Sequence, residues 1–208
     1  IMSTLEVNKI TPQGTATEIT LGDSGDTFTI PSGVTLDGSS ATLTGFGTAT
    51  VNGITEADQW RLTTTFSGDA VPISSNLERN DSLAFSKIGT GMSQSSGVWT
   101  FPSTGIWYVK GDFTFDEEAT GGADSAILGR IYTSTDGGSS FTVVSSCWGQ
   151  LQQSNDHLTI GCDTFVDVTS TTDVKVRFTV ESMLSNNRVL GNTDQNYTWF
   201  TFIRMGDT

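Results

Sequence analysis

Apolar and polar residues alternate along much of the chain after residue 59, and short polar turns separate the alternating runs. Examples are GVWTFP at 97–102, GIWYVKGDFTF at 105–115 and NYTWFTFIRMG at 196–206. A two-residue period built from β-branched and aromatic side chains is typical of half-buried strands. The turn DGG at 136–138 supplies the glycines that a tight reversal needs, so it predicts a hairpin. Closely spaced strands with no helical segments between them predict an all-β domain, an antiparallel sandwich or jelly roll.

The corner PSTG at 102–105 lies between two aromatic runs. Alternation after this corner places Trp107 and Val109 on one face of a strand, with Ile106 and Tyr108 on the other. Because both faces would be apolar, we expect one to pack inside the sandwich and the other to meet a neighbouring subunit. Trp107 and Tyr108 are the candidate oligomer-interface residues of this domain. A broad core within a single subunit is the alternative.

A change of composition near residue 59 divides the chain into a predicted N-terminal segment, 1–58, and a predicted head, 59–208. Phe28 and Phe46 are the only aromatic residues of the N-terminal segment, whose short alternating runs are separated by Gly, Asp and Ser. Its apolar residues are too few to build a core alone. The segment is therefore either a disordered tail or a β-rich attachment and shaft segment in which several copies intertwine, and the strict alternation favours the second. The candidate interface residues of the intertwined segment are Ile19, Leu21, Phe28, Ile30, Val34 and Leu36.

The stretch GITEADQWRL at 53–62 connects the two parts. Thr55, followed by Asp58 three residues later, fits the start of one helical turn. We expect this stretch to be a short linker.

Acidic residues dominate the charge, with 23 Asp and Glu against 10 Lys and Arg, which gives a formal net charge of −13. A field of this sign repels phosphate backbones and anionic lipids, so neither nucleic acid nor a membrane surface is an expected partner. No run approaches the roughly 18 consecutive apolar residues of a membrane span. The first residues also lack the basic and apolar regions of a signal peptide. We therefore expect synthesis in the cytosol and no membrane insertion.

The sequence offers little for catalysis. His157 is the only histidine, and its neighbour Asp156 would point to the opposite face of a strand. No pattern typical of a phosphate-binding loop or a zinc site is present. We therefore assign no catalytic residue and no cofactor, and we predict that the chain is not an enzyme.

One acidic run contains carboxylates of the kind that bind Ca²⁺ through oxygen. These candidate ligands are Asp116, Glu117, Glu118 and Asp124. Their spacing does not match a helix-loop-helix calcium loop, and a solvated loop is the favoured interpretation.

Cys147 and Cys162 are too few for a disulfide framework or a four-cysteine metal site. In a cytosolic chain we expect two buried thiols. A disulfide across a hairpin is the alternative.

Two parts of the sequence resemble known proteins. Residues 2–47, which begin MSTLEVNK and contain TIPSG, resemble the opening of structural proteins of tailed bacteriophages, especially marine and cyanobacterial ones. GVWTFPSTGIWYVKGDFTF, TFVDVTSTTDVKVRFTVES and YTWFTFIRMG are similar, in this order, to strands of the complement globular-head and tumour-necrosis-factor jelly roll. This second resemblance covers about residues 80–206, and jelly rolls of this kind usually form homotrimers.

Together the resemblances imply a structural virion appendage, a tail fibre or spike that is assembled in the host cytoplasm. Its homotrimeric head would bind a glycan or protein of the host surface, and its N-terminal segment would bind other virion proteins. The alternative is a capsid decoration or cement protein, or a head fibre, that uses the same head on the shell. A glycan-degrading fibre enzyme is less favoured because the chain is short for the long grooves of such enzymes.

Overall fold

The computed structural model describes residues 53–81, 87–117, 126–152, 156–184 and 186–208. Within these residues the chain forms twelve β-strands and no helix. In chain order the strands are β1 Ala57–Leu62, β2 Phe66–Ser67, β3 Leu77–Arg79, β4 Ser93–Ser95, β5 Val98–Thr100, β6 Gly105–Glu117, β7 Ile127–Ser134, β8 Thr142–Gly149, β9 His157–Val168, β10 Lys175–Glu181, β11 Asn187–Val189 and β12 Trp199–Gly206.

The strands form two sheets, and every described strand pair is antiparallel. Sheet I has seven strands in the order β2-β11-β6-β12-β1-β3, with β9 paired to the other edge of β6. Sheet II has five strands in the order β4-β5-β10-β7-β8. The predicted all-β antiparallel sandwich is confirmed.

Strand β6 is the central strand of sheet I. One of its edges pairs with β9 from Gly105 to Asp116. Its other edge pairs first with β12 and then, from Phe115 to Glu117, with β11. The corner before it carries the chain from β5 in sheet II to β6 in sheet I. Gly105 is required there, because it has a φ of 132° and a Cβ atom would lie 2.4 Å from the carbonyl oxygen of Gly206.

The core lies between the sheets and is largely aromatic. Phe178 of sheet II stacks on Phe200 of sheet I with ring centroids 4.2 Å apart. Trp107 has no exposed surface, and its indole N–H donates to the carbonyl of Ser103 at 3.1 Å. The fully buried aromatic side chains are Trp99, Phe101, Trp107, Phe113, Phe115, Phe178, Phe200 and Phe202. Trp107 is thus a core residue, away from any surface that a second subunit could contact.

Some local predictions need correction. Thr55 and Asp58 do not start a helical turn, because Asp58 pairs with β12 as part of β1. The predicted linker at 53–62 is therefore a strand from Ala57 onward. The run at 185–196 is not only a turn, because β11 lies within it. The hairpin at 136–138 is confirmed, since Gly137 and Gly138 both have positive φ and β7 pairs with β8.

The division at 1–58 and 59–208 stays a prediction, because residues 1–52 lie outside the described part of the chain. The six N-terminal interface candidates, from Ile19 to Leu36, lie there too. Among the described residues, no helical segment has the length and hydrophobicity needed to cross a lipid bilayer.

Candidate functional site

The outer face of sheet I carries an apolar row at its centre. Because Trp107 and Val109 are buried, Tyr108 between them points away from the core. Tyr108 pairs with Phe165 of β9 on one side and with Ile203 of β12 on the other. The rings of Tyr108 and Phe165 lie 5.7 Å apart, and Phe165 is 64% exposed. We call Phe165, Tyr108 and Ile203 the apolar row.

Charged residues border the apolar row. Lys110 and Asp112, the next outward residues of β6, form an ion pair of 2.8 Å. This bond to Asp112 raises the pKa of Lys110, so its ammonium stays charged at neutral pH. Burial and the carboxylate of Asp163 raise the pKa of the Tyr108 phenol above its usual 10.0. The phenol therefore stays a neutral hydrogen-bonding group beside the row.

A glycine on β9 makes room for the Asp112 carboxylate. Gly161 pairs with Asp112, and a Cβ atom on Gly161 would lie 2.6 Å from Asp112 Oδ1. The Asp112 side chain is only 9% exposed, and its Oδ2 is buried without a hydrogen-bond partner. Gly161 therefore allows the Asp112 carboxylate to lie against β9 at the border of the apolar row.

The structure places two of the four candidate calcium ligands. Asp116 accepts hydrogen bonds from Arg188 Nε and Nη2 at 2.8 and 2.5 Å. Glu117 is 1% exposed, and its Oε1 accepts from Asn186 at 3.2 Å. Neither residue lies in a solvated loop, because both are the last residues of β6, where neighbouring side chains point to opposite faces.

Glu118 and Asp124 lie outside the described residues, and calcium binding stays a prediction. Within the described ranges, no three His, Cys, Asp or Glu side chains lie together as a metal site. His157 begins β9 with an exposed side chain and pairs in register with Asp116, which bonds to Arg188.

Cys147 and Cys162 are both free thiols and lie at adjoining edges of the two sheets, on β8 and β9. Their sulfur atoms lie 3.4 and 3.8 Å from the carbonyl oxygen of Gly129. The hydrogen bond between the thiols lowers the pKa of Cys147 and, together with burial, raises the pKa of Cys162. Cys162 is therefore the thiol that keeps its proton.

The sequence identified Tyr108 as a candidate interface residue but missed Phe165 and Ile203, the other two residues of the apolar row. The run TFVDV predicted a strand, and its parity could have shown that Phe165 is opposite to Val166 and Val168, both of which are buried. The opposite face of this strand is polar apart from Phe165, so the parity of β9 already marks Phe165 as an apolar residue on the outer face.

Comparison with known proteins agrees with this architecture. No family model and no curated protein matches the sequence. Two solved structures with the same fold are murine APRIL at pH 5.0 and the Eiger TNF from S. frugiperda. The first has a TM-score of 0.52 at 9% identity, over 72% of this chain and 98% of APRIL. The second has a TM-score of 0.51 at 9% identity, over 73% of this chain and 93% of Eiger. The head is a TNF-like jelly roll. At this identity the likeness concerns the fold alone.

Proposed function

We propose that this chain is a structural virion appendage, a tail fibre or spike, whose jelly-roll head self-associates as a homotrimer and binds the host surface. The apolar row on the outer face of sheet I is the observation that carries the self-association. The resemblance of residues 2–47 to phage structural proteins supports the virion role. The TNF-like fold of the head is compatible with a trimer.

The apolar row provides the driving force for association. Fully burying a phenylalanine side chain contributes about 1.5–3 kcal/mol, and Phe165 leaves 64% of its surface in water in the single chain. Phe165 lies on a sheet rather than a loop, which gives the contact a rigid support. A symmetric trimer buries one apolar row per subunit, so the gain is repeated three times.

The charged border would give the association its orientation. Lys110, Asp112 and Asp163 lie beside the row, and burying any of them without a partner would be costly. Only an arrangement that keeps these charges paired or solvated is therefore stable. This restricts the number of ways in which two heads can meet.

Light scattering on the purified full chain tests the self-association. We expect the mass of a trimer for the wild type and of a monomer for Phe165→Arg, because the arginine removes apolar surface from the row and adds a charge that association would have to desolvate. Leu184→Arg is the matched control, because Leu184 is 46% exposed and lies outside both sheets. The control should keep the trimer. A wild-type monomer, or a trimer that survives Phe165→Arg, would contradict this interface.

Adsorption tests the virion role. The purified protein, added to host cells before the virus, should slow adsorption because it would occupy the same surface ligands. In electron micrographs, an antibody against the head should label the appendages. Labelling spread over the capsid shell would favour the decoration or cement protein instead. Release of sugars from host glycans by the purified chain would favour the glycan-degrading enzyme instead.

A further inference from the structure

The outer face of sheet II carries basic residues in a strongly acidic protein. Val176, Phe178 and Val180 of β10 are buried, so Lys175 and Arg177 point outward. Arg130 and Tyr132 lie on the neighbouring strand β7, with Arg177 paired to Tyr132. Three of the ten Lys and Arg residues of the chain therefore share one face. We call Lys175, Arg177, Arg130, Tyr132 and Phe141 the basic face.

Arg177 is held between two aromatic rings. Its guanidinium carbon lies 4.7 Å from the ring centroid of Tyr132 and 4.2 Å from that of Phe141. Such stacking fixes the plane of the guanidinium and leaves its N–H edges available. Its Nε is buried, and no described residue accepts a hydrogen bond from it or pairs with its charge. Its Nη1 and Nη2 groups are not buried and make no hydrogen bond to a described residue, so they are the two donors that a ligand can reach.

The other charges nearby do not neutralise Arg177. Glu181 accepts from Arg130 Nη1 at 2.5 Å, from the Tyr132 hydroxyl at 2.9 Å and from Thr179 Oγ1 at 2.7 Å. Its carboxylate is therefore fully engaged by its own neighbours. Lys175, two residues before Arg177 on the same face, donates only to uncharged oxygens, Thr100 Oγ1 at 3.0 Å and the carbonyl of Thr171 at 2.8 Å. Lys175 and Arg177 thus lie side by side on this face, and neither forms an ion pair with a described residue.

We propose that the basic face binds an anionic glycan, with Arg177 holding a carboxylate or sulfate group of the sugar in a two-pronged hydrogen bond and Lys175 adding a second positive charge. The planar fork of an arginine matches both groups. Trp148 is 65% exposed on β8 in the same sheet, and its indole offers an apolar platform for a sugar ring. From strand spacing, Trp148 and Arg177 are on the order of 15 Å apart, which suits a short oligosaccharide. This inference rests on one part of the proposed function, namely that the head binds the host surface.

The negative net charge of the chain disfavours non-specific binding of anionic polymers. A chain with a net charge of −13 repels polyanions in general, so any binding of an acidic polymer must come from a local site. We would titrate the full-length protein by calorimetry with oligogalacturonate for the carboxylate, dextran sulfate for the sulfate, dextran as the neutral sugar, and polyglutamate as an anionic polymer without sugar.

Binding of oligogalacturonate or dextran sulfate, with no binding of dextran and at least tenfold weaker binding of polyglutamate, is the expected result. Which of the two glycans binds more tightly identifies the anionic group. Arg177→Met should weaken binding about tenfold or more. Arg177→Lys should also weaken it several-fold, because a lysine keeps the charge but not the fork. Lys87→Gln removes one charge outside the basic face and should change affinity less than twofold.

Circular dichroism and thermal melting would show that each variant is folded. Absence of glycan binding by the wild type, equal binding of polyglutamate, or undiminished binding by folded Arg177→Met would overturn the proposal. The light-scattering mass separates this result from the proposed function. A trimer that slows adsorption but binds no anionic glycan refutes only this inference, whereas a monomer that binds through Arg177 refutes only the self-association.

Discussion

The buried carboxylate of Asp58 provides the sharpest test of how the head is stabilised. Its side chain has no exposed surface, and it accepts hydrogen bonds from Arg79 Nε and Nη2 at 3.0 Å each. It also accepts from the Trp60 indole at 2.9 Å and from the backbone N–H of Met92 at 2.8 Å. Arg79 in turn lies 4.8 Å from the ring of Trp60. This network joins β1 to β3 and to the segment before β4.

Asp58→Asn would keep the volume of the side chain and remove its charge. Breaking a buried ion pair costs about 3–5 kcal/mol. We expect the lower end of this range, about 3 kcal/mol, because Arg79 is 33% exposed and can be solvated by water once the pair is broken. For a chain of this size that corresponds to a fall in melting temperature of about 10 °C.

Urea unfolding followed by tryptophan fluorescence, at one fixed protein concentration, would measure the change in the free energy of unfolding. Asp207→Asn is the matched control, because Asp207 also pairs with an arginine, Arg204, but is 88% exposed. Exposed pairs contribute little, so the control should unfold with the wild type. Equal midpoints for Asp58→Asn and Asp207→Asn would refute the argument that burial decides the value of these pairs.

Two further outcomes follow from the outer and inner faces of β6. Trp107→Ala should lower the free energy of unfolding by about 3–5 kcal/mol, because the side chain is fully buried. A loss below about 1 kcal/mol in the same urea assay would contradict its place in the core. In an ultraviolet titration, Tyr108 should ionise above pH 10, and Asp163→Asn should lower its pKa. Because the folded state raises this pKa, the stability that the phenol contributes is present below pH 10 and is lost as the pH rises beyond it. Ionisation of Tyr108 at or below pH 10, or a pKa unchanged by Asp163→Asn, would be the contrary result.

The sequence predicted long strands well and short ones poorly. In β6 the alternation predicted the strand and its two faces, but both faces carry apolar residues, so only the burial of Trp107 shows which face is the core. β11 has only three residues, Asn187–Val189, within a run rich in turn-forming residues, and its pairing with β6 decides its conformation. Asp58 is a similar case, because its local pattern fits a helix start but its partners are distant in sequence.

The candidate sites were harder to predict than the fold. Tyr108 was predicted as an interface candidate because it lies on the face of β6 opposite to Trp107. Phe165 became part of the apolar row only through the register of β9 against β6. Arg177 gave no signal in the sequence, because its isolation depends on Glu181 being engaged by Arg130 and on the rings that enclose it. Contacts of this kind connect residues on different strands, and no local pattern encodes them.

The pairing of β1 with β12 also affects when the head can fold during synthesis. β1 is the first strand of the described chain and β12 the last, and Ala57 pairs with Ile203. As the ribosome releases the chain from its N-terminus, β1 must wait for almost all of the head to be synthesised before its partner emerges. Contacts so distant in sequence slow folding and leave apolar strands exposed in the meantime. A chain that stops short of β12 would leave β1 and β6 without the strand that pairs with both. The head can therefore complete sheet I only after β12 has been synthesised.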